Sequence, residues 1–97
     1  MKSDVRLFRD DDDGYLKWIS DHRDGFVLNA LRVPRASYLM LHRASCRDIS
    51  TPTRSNWTTT QYLKCCAHDS EALVGWVVQH VPQATPKDVR RCKRCCP

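Results

Sequence analysis

Two cysteines near the carboxyl end of the chain have the spacing of metal ligands. Cys92 and Cys95 are separated by two residues, so a single turn can direct both thiolates at one tetrahedral zinc ion. Such a pair supplies half of a four-ligand site, and the other two ligands must come from elsewhere in the chain. Four protein ligands leave no position for a reactive water, so the zinc expected here is structural.

The remaining ligands are expected near the ends of predicted strands. Cys65 and Cys66 point to opposite faces if their segment is a strand, so only one of them can bind the metal, and Cys66 is preferred because it lies at the strand end. Cys46 is the fourth candidate, and His42, four residues earlier, is its substitute. The alternative for Cys46 and Cys65 is burial, in which cysteine behaves as a small apolar residue. The predicted zinc ligands are therefore Cys46, Cys66, Cys92 and Cys95.

Positive charge is concentrated in the same carboxyl-terminal segment. The residues from Lys87 to Cys96 include five basic side chains and one acidic side chain, a density that favours the binding of phosphate groups. More arginines occur at 32–54, before or within a hydroxyl-rich loop at 50–60, where the Trp57 indole is expected to stack on a base. The alternative is that the basic surface serves only solubility and that Trp57 belongs to the core. The predicted nucleic-acid-binding residues are Arg43, Arg47, Arg54, Trp57, Arg90, Arg91, Lys93 and Arg94.

Apolar side chains recur at helical spacing in two segments and alternate in others. These patterns predict a first helix with apolar positions at 15–22 and Asp12 or Asp13 as its cap, and a second helix with apolar positions at 73–81 and Asp69 or Ser70 as its cap. They also predict a hairpin over 26–43 and a third strand over about 59–66. We predict an α+β fold in the order α-β-β-β-α, with a small antiparallel sheet of three to four strands and two helices on one face. Residues 1–13 are expected to form an acidic amino-terminal arm, and residues 14–97 a single compact domain that includes a basic Cys-x-x-Cys tail at 86–97.

Length and composition exclude several classes of protein. A chain of 97 residues is too short for separate cofactor and substrate domains. No stretch approaches the roughly 18 apolar residues of a membrane span, and the first residues lack the apolar run of a secretory signal, so we expect a cytoplasmic protein that does not bind membranes. In a reducing compartment, six cysteines hold a metal more often than they form disulfides. The net charge of +5 favours an anionic partner.

The sequence as a whole predicts a small zinc-stabilised nucleic-acid-binding module that acts through its arginine-rich loop and basic tail. The alternative is a protein–protein adaptor or inhibitor, such as a small phage or mobile-element factor that docks on a nucleic-acid-processing enzyme through Trp57 and Tyr38. An enzyme is not expected, because the chain has no glycine-rich phosphate loop and its acidic residues cluster at 10–13.

Overall fold

Five strands form one mixed sheet in the part of the chain that the structure describes, residues 5–49, 57–59 and 61–95. In this computed structural model the strands are β1 (Arg6–Phe8), β2 (Phe26–Leu31), β3 (Leu39–Arg43), β4 (Tyr62–Ala67) and β5 (Arg90–Arg91). Their order across the sheet is β1-β4-β2-β3-β5. Neighbouring strands are antiparallel, except that β5 runs parallel to β3.

The α+β class is confirmed, but the predicted antiparallel sheet of three to four strands is corrected to a mixed sheet of five. The two unpredicted strands are the sheet edges: β1 has three residues and β5 has two, too few to show an alternation of apolar and polar side chains. Strand β1 lies inside the expected acidic arm, 1–13, and β5 lies inside the tail, 86–97. Both terminal segments therefore contribute strands to the sheet.

The predicted central hairpin is present, and its side chains alternate as the sequence indicates. Strands β2 and β3 pair antiparallel, with Val27 opposite His42. Met40 and His42 lie on one face of the sheet, whereas Leu39 and Leu41 lie on the other. The two faces therefore have different chemistry: one is lined by aliphatic residues and the other carries an imidazole.

Each face of the sheet is covered by one helix. Helix α2 (Ser70–His80) packs on one face, against the fully buried Leu28 and Leu63, and α1 (Asp12–Asp21) packs on the opposite face, against Val27 and Cys66. The expectation of two helices on one face is thus corrected, because the central strands carry apolar side chains on both sides and each side must be shielded from water. Among the described residues, no helix has the length and apolar character needed to cross a bilayer.

The first turn of α1 anchors a distant loop to the core. Asp11 caps the helix, one residue before the nearer of the two predicted caps. Asp12 Oδ2 accepts a hydrogen bond from the Trp57 N–H at 3.1 Å, and Asp12 Oδ1 accepts from the N–H and the hydroxyl of Thr58, both at 2.7 Å. Thr58 is fully buried and Trp57 is 7% exposed. These bonds hold the indole inside the core, beside the ring of Tyr15.

A buried lysine lies between the sheet and this loop. Lys64 is 2% exposed, and its Nζ donates to Asn29 Oδ1 at 2.7 Å and to the Trp57 carbonyl at 2.8 Å. The same ammonium group lies 5.7 Å from the ring centroid of Tyr15 and 5.4 Å from that of Tyr62. Burial lowers the pKa of Lys64 from 10.5 to about 8.

Removing the Asp12 carboxylate is expected to destabilise the fold. Asp12→Ala lowers the free energy of unfolding by about 2–4 kcal/mol, because three hydrogen bonds to a charged acceptor are lost and buried donors remain. Asp13→Ala, an exposed change in the same turn, alters it by less than about 0.5 kcal/mol. Urea denaturation followed by circular dichroism measures both. Equal effects of the two substitutions would contradict the anchoring role of Asp12.

The lowered pKa of Lys64 predicts that the free energy of unfolding rises as the pH increases from 8 to 10.5. Between pH 8 and 10.5 the folded chain has lost the Lys64 proton whereas the unfolded chain retains it, so this group makes unfolding more costly as the pH rises. Lys64→Met removes the titration. The free energy of unfolding of the unmodified chain is therefore expected to rise relative to that of Lys64→Met by about 2–3 kcal/mol over this window. Urea denaturation under reducing conditions gives the difference, and a value independent of pH would argue against the burial of a charged lysine.

Candidate metal centre

Four side chains that can bind a metal meet at one end of β3. A ring nitrogen of His42 and the sulfur atoms of Cys46, Cys92 and Cys95 all lie within 4.8 Å of one another. The Cys46 and Cys92 sulfur atoms are 3.9 Å apart. Two thiolates on one tetrahedral zinc, with Zn–S bonds of about 2.3 Å, are separated by about 3.8 Å. The spacing of the cluster therefore suits a single tetrahedral ion.

The local backbone explains how these ligands come together. His42 lies on β3, and the chain turns directly after this strand, where the Cys46 N–H donates to the Arg43 carbonyl at 2.9 Å. The tail returns in parallel beside β3, and the Cys92 N–H donates to the Leu41 carbonyl at 2.9 Å. Two ligands thus come from β3 and its turn, and two come from the tail.

Backbone N–H groups point at two of the sulfur atoms. The Arg43 N–H donates to Cys95 Sγ at 3.2 Å, and the Asp48 N–H forms a hydrogen bond with the Cys46 thiol that lowers the pKa of that thiol, against the larger effect of burial. A hydrogen bond donated to sulfur favours the thiolate, which is the form that binds a metal. The backbone is therefore arranged to stabilise negative charge on the cluster.

Side chains around the cluster attach the tail to the body of the fold. The Cys92 thiol lies 3.7 Å from the Asp48 carboxylate, which in turn forms an ion pair with Arg94 at 2.8 Å. On the other side, Arg43 Nε donates to the Cys95 carbonyl at 2.9 Å. Such contacts outside the ligand shell fix the orientation of metal ligands.

Burial shifts the pKa values of two residues of the cluster. It raises the pKa of the Cys46 thiol and lowers the pKa of His42 to about 4, so that His42 is neutral near pH 7 and able to bind a metal. Within the described part of the chain, the buried His42 Nδ1 has no hydrogen-bond partner. A buried thiolate and a buried imidazole without a hydrogen-bond partner both cost solvation free energy. A cation bound by both groups would compensate for that loss.

The predicted set of four is corrected in its geometry, because Cys66 does not join the cluster and His42 lies there instead. The sequence offered His42 only as a substitute for Cys46. Cys66 pairs with Val27, and Val27 pairs with His42, so the three side chains share one face of the sheet. Neighbouring strands are about 4.8 Å apart, which places Cys66 about 10 Å from His42, two strands away. The predicted face is thus right and the predicted strand is wrong.

A cleft of about 970 Å³ opens beside the cluster, on the same face of the sheet. His42 and Asp48 line the side nearest the cluster. The floor consists of side chains from the sheet and its flanking residues: Asn29, Tyr38, Met40 and Tyr62. Along the tail the cleft is lined by four exposed basic residues that the sequence predicted to bind nucleic acid: Arg90, Arg91, Lys93 and Arg94.

Three other residues predicted to bind nucleic acid, Arg43, Arg47 and Trp57, are not among those that line this cleft. Arg43 and Arg47 are exposed but are not among the residues that line it, and Arg43 instead holds the Cys95 carbonyl. Trp57, which the sequence analysis expected to stack on a base, packs in the core and is 7% exposed. Arg54 lies outside the described residues.

The residues of the site that were not predicted from the sequence include Asp48, Asn29 and Tyr62. Asp48 had a usable signal, since it lies two residues after a predicted ligand in a turn. Asn29 and Tyr62 had none, because they approach each other only through the pairing of β2 with β4. Strand neighbours in a sheet are not determined by local sequence.

We expect the protein to bind one zinc ion per chain and to bind Co²⁺ with the absorption of a tetrahedral thiolate site. Cys46→Ser, Cys92→Ser, Cys95→Ser and His42→Ala are each expected to lower the zinc affinity by more than about 100-fold, beyond the effect typical of residues outside the ligand shell. Native mass spectrometry gives the stoichiometry, and competition with a chelator gives the affinity.

Cys66→Ala is the matched control for these variants. It removes a buried cysteine from the same face of the sheet, and we expect it to keep one zinc ion per chain at unchanged affinity. Loss of zinc in Cys66→Ala together with its retention in His42→Ala would overturn the ligand assignment.

Comparisons with known proteins were made against family models, curated proteins and solved structures. No family model, no curated protein and no solved structure matches the chain. The function is therefore inferred from the geometry itself, a cluster of three cysteines and one histidine at the edge of a basic cleft.

Proposed function

We propose that this protein is a small nucleic-acid-binding module in which a structural zinc ion fixes a basic cleft. One observation carries the proposal: metal ligands and cleft residues are interleaved in one short segment of chain. Cys92 and Cys95 belong to the cluster, and the basic residues on either side of Cys92 line the cleft. An ion held by the cluster therefore positions the basic side chains directly.

The ligand set supports zinc as the ion. Three sulfur atoms and one imidazole nitrogen form a soft donor set, which favours zinc over the oxygen-seeking cations magnesium and calcium. Four protein ligands close the coordination sphere, as in structural sites. The tail also needs such an attachment, because its strand β5 has only two residues.

The charge of the cleft supports nucleic acid as the partner. Among the described residues, four basic side chains and one carboxylate line it, and that carboxylate, Asp48, already forms an ion pair with Arg94. Clustered exposed cations attract the phosphates of nucleic acid and release counterions on binding. The adaptor alternative is less favoured, because Trp57, one of the residues expected to contact a protein partner, is buried in the core.

Salt dependence tests the proposal. For the zinc-loaded protein and a labelled oligonucleotide, we expect the logarithm of affinity to fall against the logarithm of salt concentration with a slope of about −1.4 to −3.6, as two to four phosphate contacts require. Arg90→Gln is expected to weaken binding and to reduce the magnitude of the slope by about 0.7–0.9. Arg23→Gln removes the same charge from an exposed position outside the cleft and is expected to change neither quantity.

Removal of the metal is the second arm of this experiment. Chelation is expected to weaken nucleic-acid binding, because the basic residues are no longer held beside the sheet. Absence of binding to any nucleic acid at low salt would refute the proposal. Binding that survives chelation unchanged would refute the role given to zinc.

A further inference from the structure

The cleft floor differs chemically from the basic wall, which is the side of the cleft lined by Arg90, Arg91, Lys93 and Arg94. Helix α1 covers the part of the sheet around Val27 and Cys66, and further along the same face the cleft opens over Asn29, Tyr38 and Tyr62. The rings of Tyr38 and Tyr62 have centroids 5.7 Å apart and are tilted by 49°. Both side chains are only partly buried, so an aromatic surface faces the cleft.

A chain of hydrogen bonds fixes the polar group beside these rings. Lys64 Nζ donates to Asn29 Oδ1 at 2.7 Å, and Asn29 Nδ2 donates to the Tyr38 hydroxyl at 3.0 Å. The first bond identifies the oxygen of the amide, and the second identifies its nitrogen. A primary amide has two N–H donors and two acceptor positions, so these bonds leave one donor and one acceptor on Asn29. An adjacent donor and acceptor match the edge of a nucleobase.

The floor and the basic wall are complementary to different parts of a nucleotide. The face of a tyrosine ring suits a base, an oriented amide suits the polar edge of a base, and the side chains of Arg90 and Arg94 at the wall suit phosphate. A concave cleft of about 970 Å³ accepts a base that projects from its strand. In a duplex, by contrast, both faces of a base are stacked and its pairing edge is occupied.

We propose that the cleft binds an unpaired base of a single-stranded nucleic acid. The base packs on Tyr38 and Tyr62 with its edge towards Asn29, and the adjoining phosphates contact the basic wall. This inference rests on the proposed function and deepens it, because it names the form of nucleic acid and the part of the nucleotide that enters the cleft. It also assigns a binding role to floor residues that carry no net positive charge.

Three labelled DNA probes of equal length test the proposal with the zinc-loaded full chain: a single strand, the same strand annealed to its complement, and a strand of abasic residues with the same number of phosphates. Fluorescence anisotropy at one salt concentration gives each affinity. We expect the single strand to bind about tenfold more tightly than either other probe, as stacking of one base predicts. Equal affinity for the single strand and the abasic strand would overturn the inference.

Variants of Tyr62 make the test specific to the cleft. Tyr62→Leu is expected to reduce the ratio of single-strand to abasic affinity by about five- to tenfold, whereas Tyr62→Phe retains the ring and the ratio. Trp76→Leu is the matched control, since it removes a partly buried aromatic residue that packs with α2 on the opposite side of the sheet. Zinc content confirms that each variant is folded. A ratio unaffected by Tyr62→Leu would refute the inference.

The three probes distinguish a failure of the proposed function from a failure of the inference about an unpaired base. If none of the three probes binds, the proposed function fails and the inference fails with it. If all three bind equally, with the salt dependence of phosphate contacts, the proposed function survives and the inference alone is refuted.

Discussion

The packing of one imidazole and three sulfur atoms within 4.8 Å of one another determines where the tail of this protein lies. The tail makes a strand of two residues, which by itself contributes little to holding it on the sheet. Its position depends on the cluster and on the contacts that surround the cluster. Because Cys46 and Cys92 are 46 residues apart, an ion held between them also closes a large loop and reduces the entropy of the unfolded chain.

The face of the sheet that carries Val27 and His42 has three chemically different regions along its length. Under α1 it is apolar, and Val27 and Cys66 are buried there. Beside this region lies the polar network of Lys64 and Asn29, and at the end of β3 lies the cluster that contains His42. The opposite face is mainly apolar and packs on α2, so it forms the second hydrophobic core cluster of the fold.

Sequence patterns identified the elements that have a strong local signal. Alternation predicted the hairpin and the face of His42, and the Cys92-x-x-Cys95 spacing predicted half of the cluster. The assignment of Cys66 failed because the distance between two strands depends on strand order, which is a property of the whole sheet. Trp57 was expected at the surface because polar residues surround it in sequence, whereas its burial depends on a carboxylate 45 positions away.

Cysteines of the cluster alternate with basic residues in the stretch from Arg90 to Cys95, so the proposed binding of zinc and the proposed binding of nucleic acid would be thermodynamically coupled. If zinc raises the affinity for nucleic acid by some factor, the bound nucleic acid must raise the affinity for zinc by the same factor. A chain engaged on its nucleic acid would therefore retain its ion against competing chelators longer than an unengaged one. Occupancy of the cleft and occupancy of the metal site would rise and fall together with the supply of either partner.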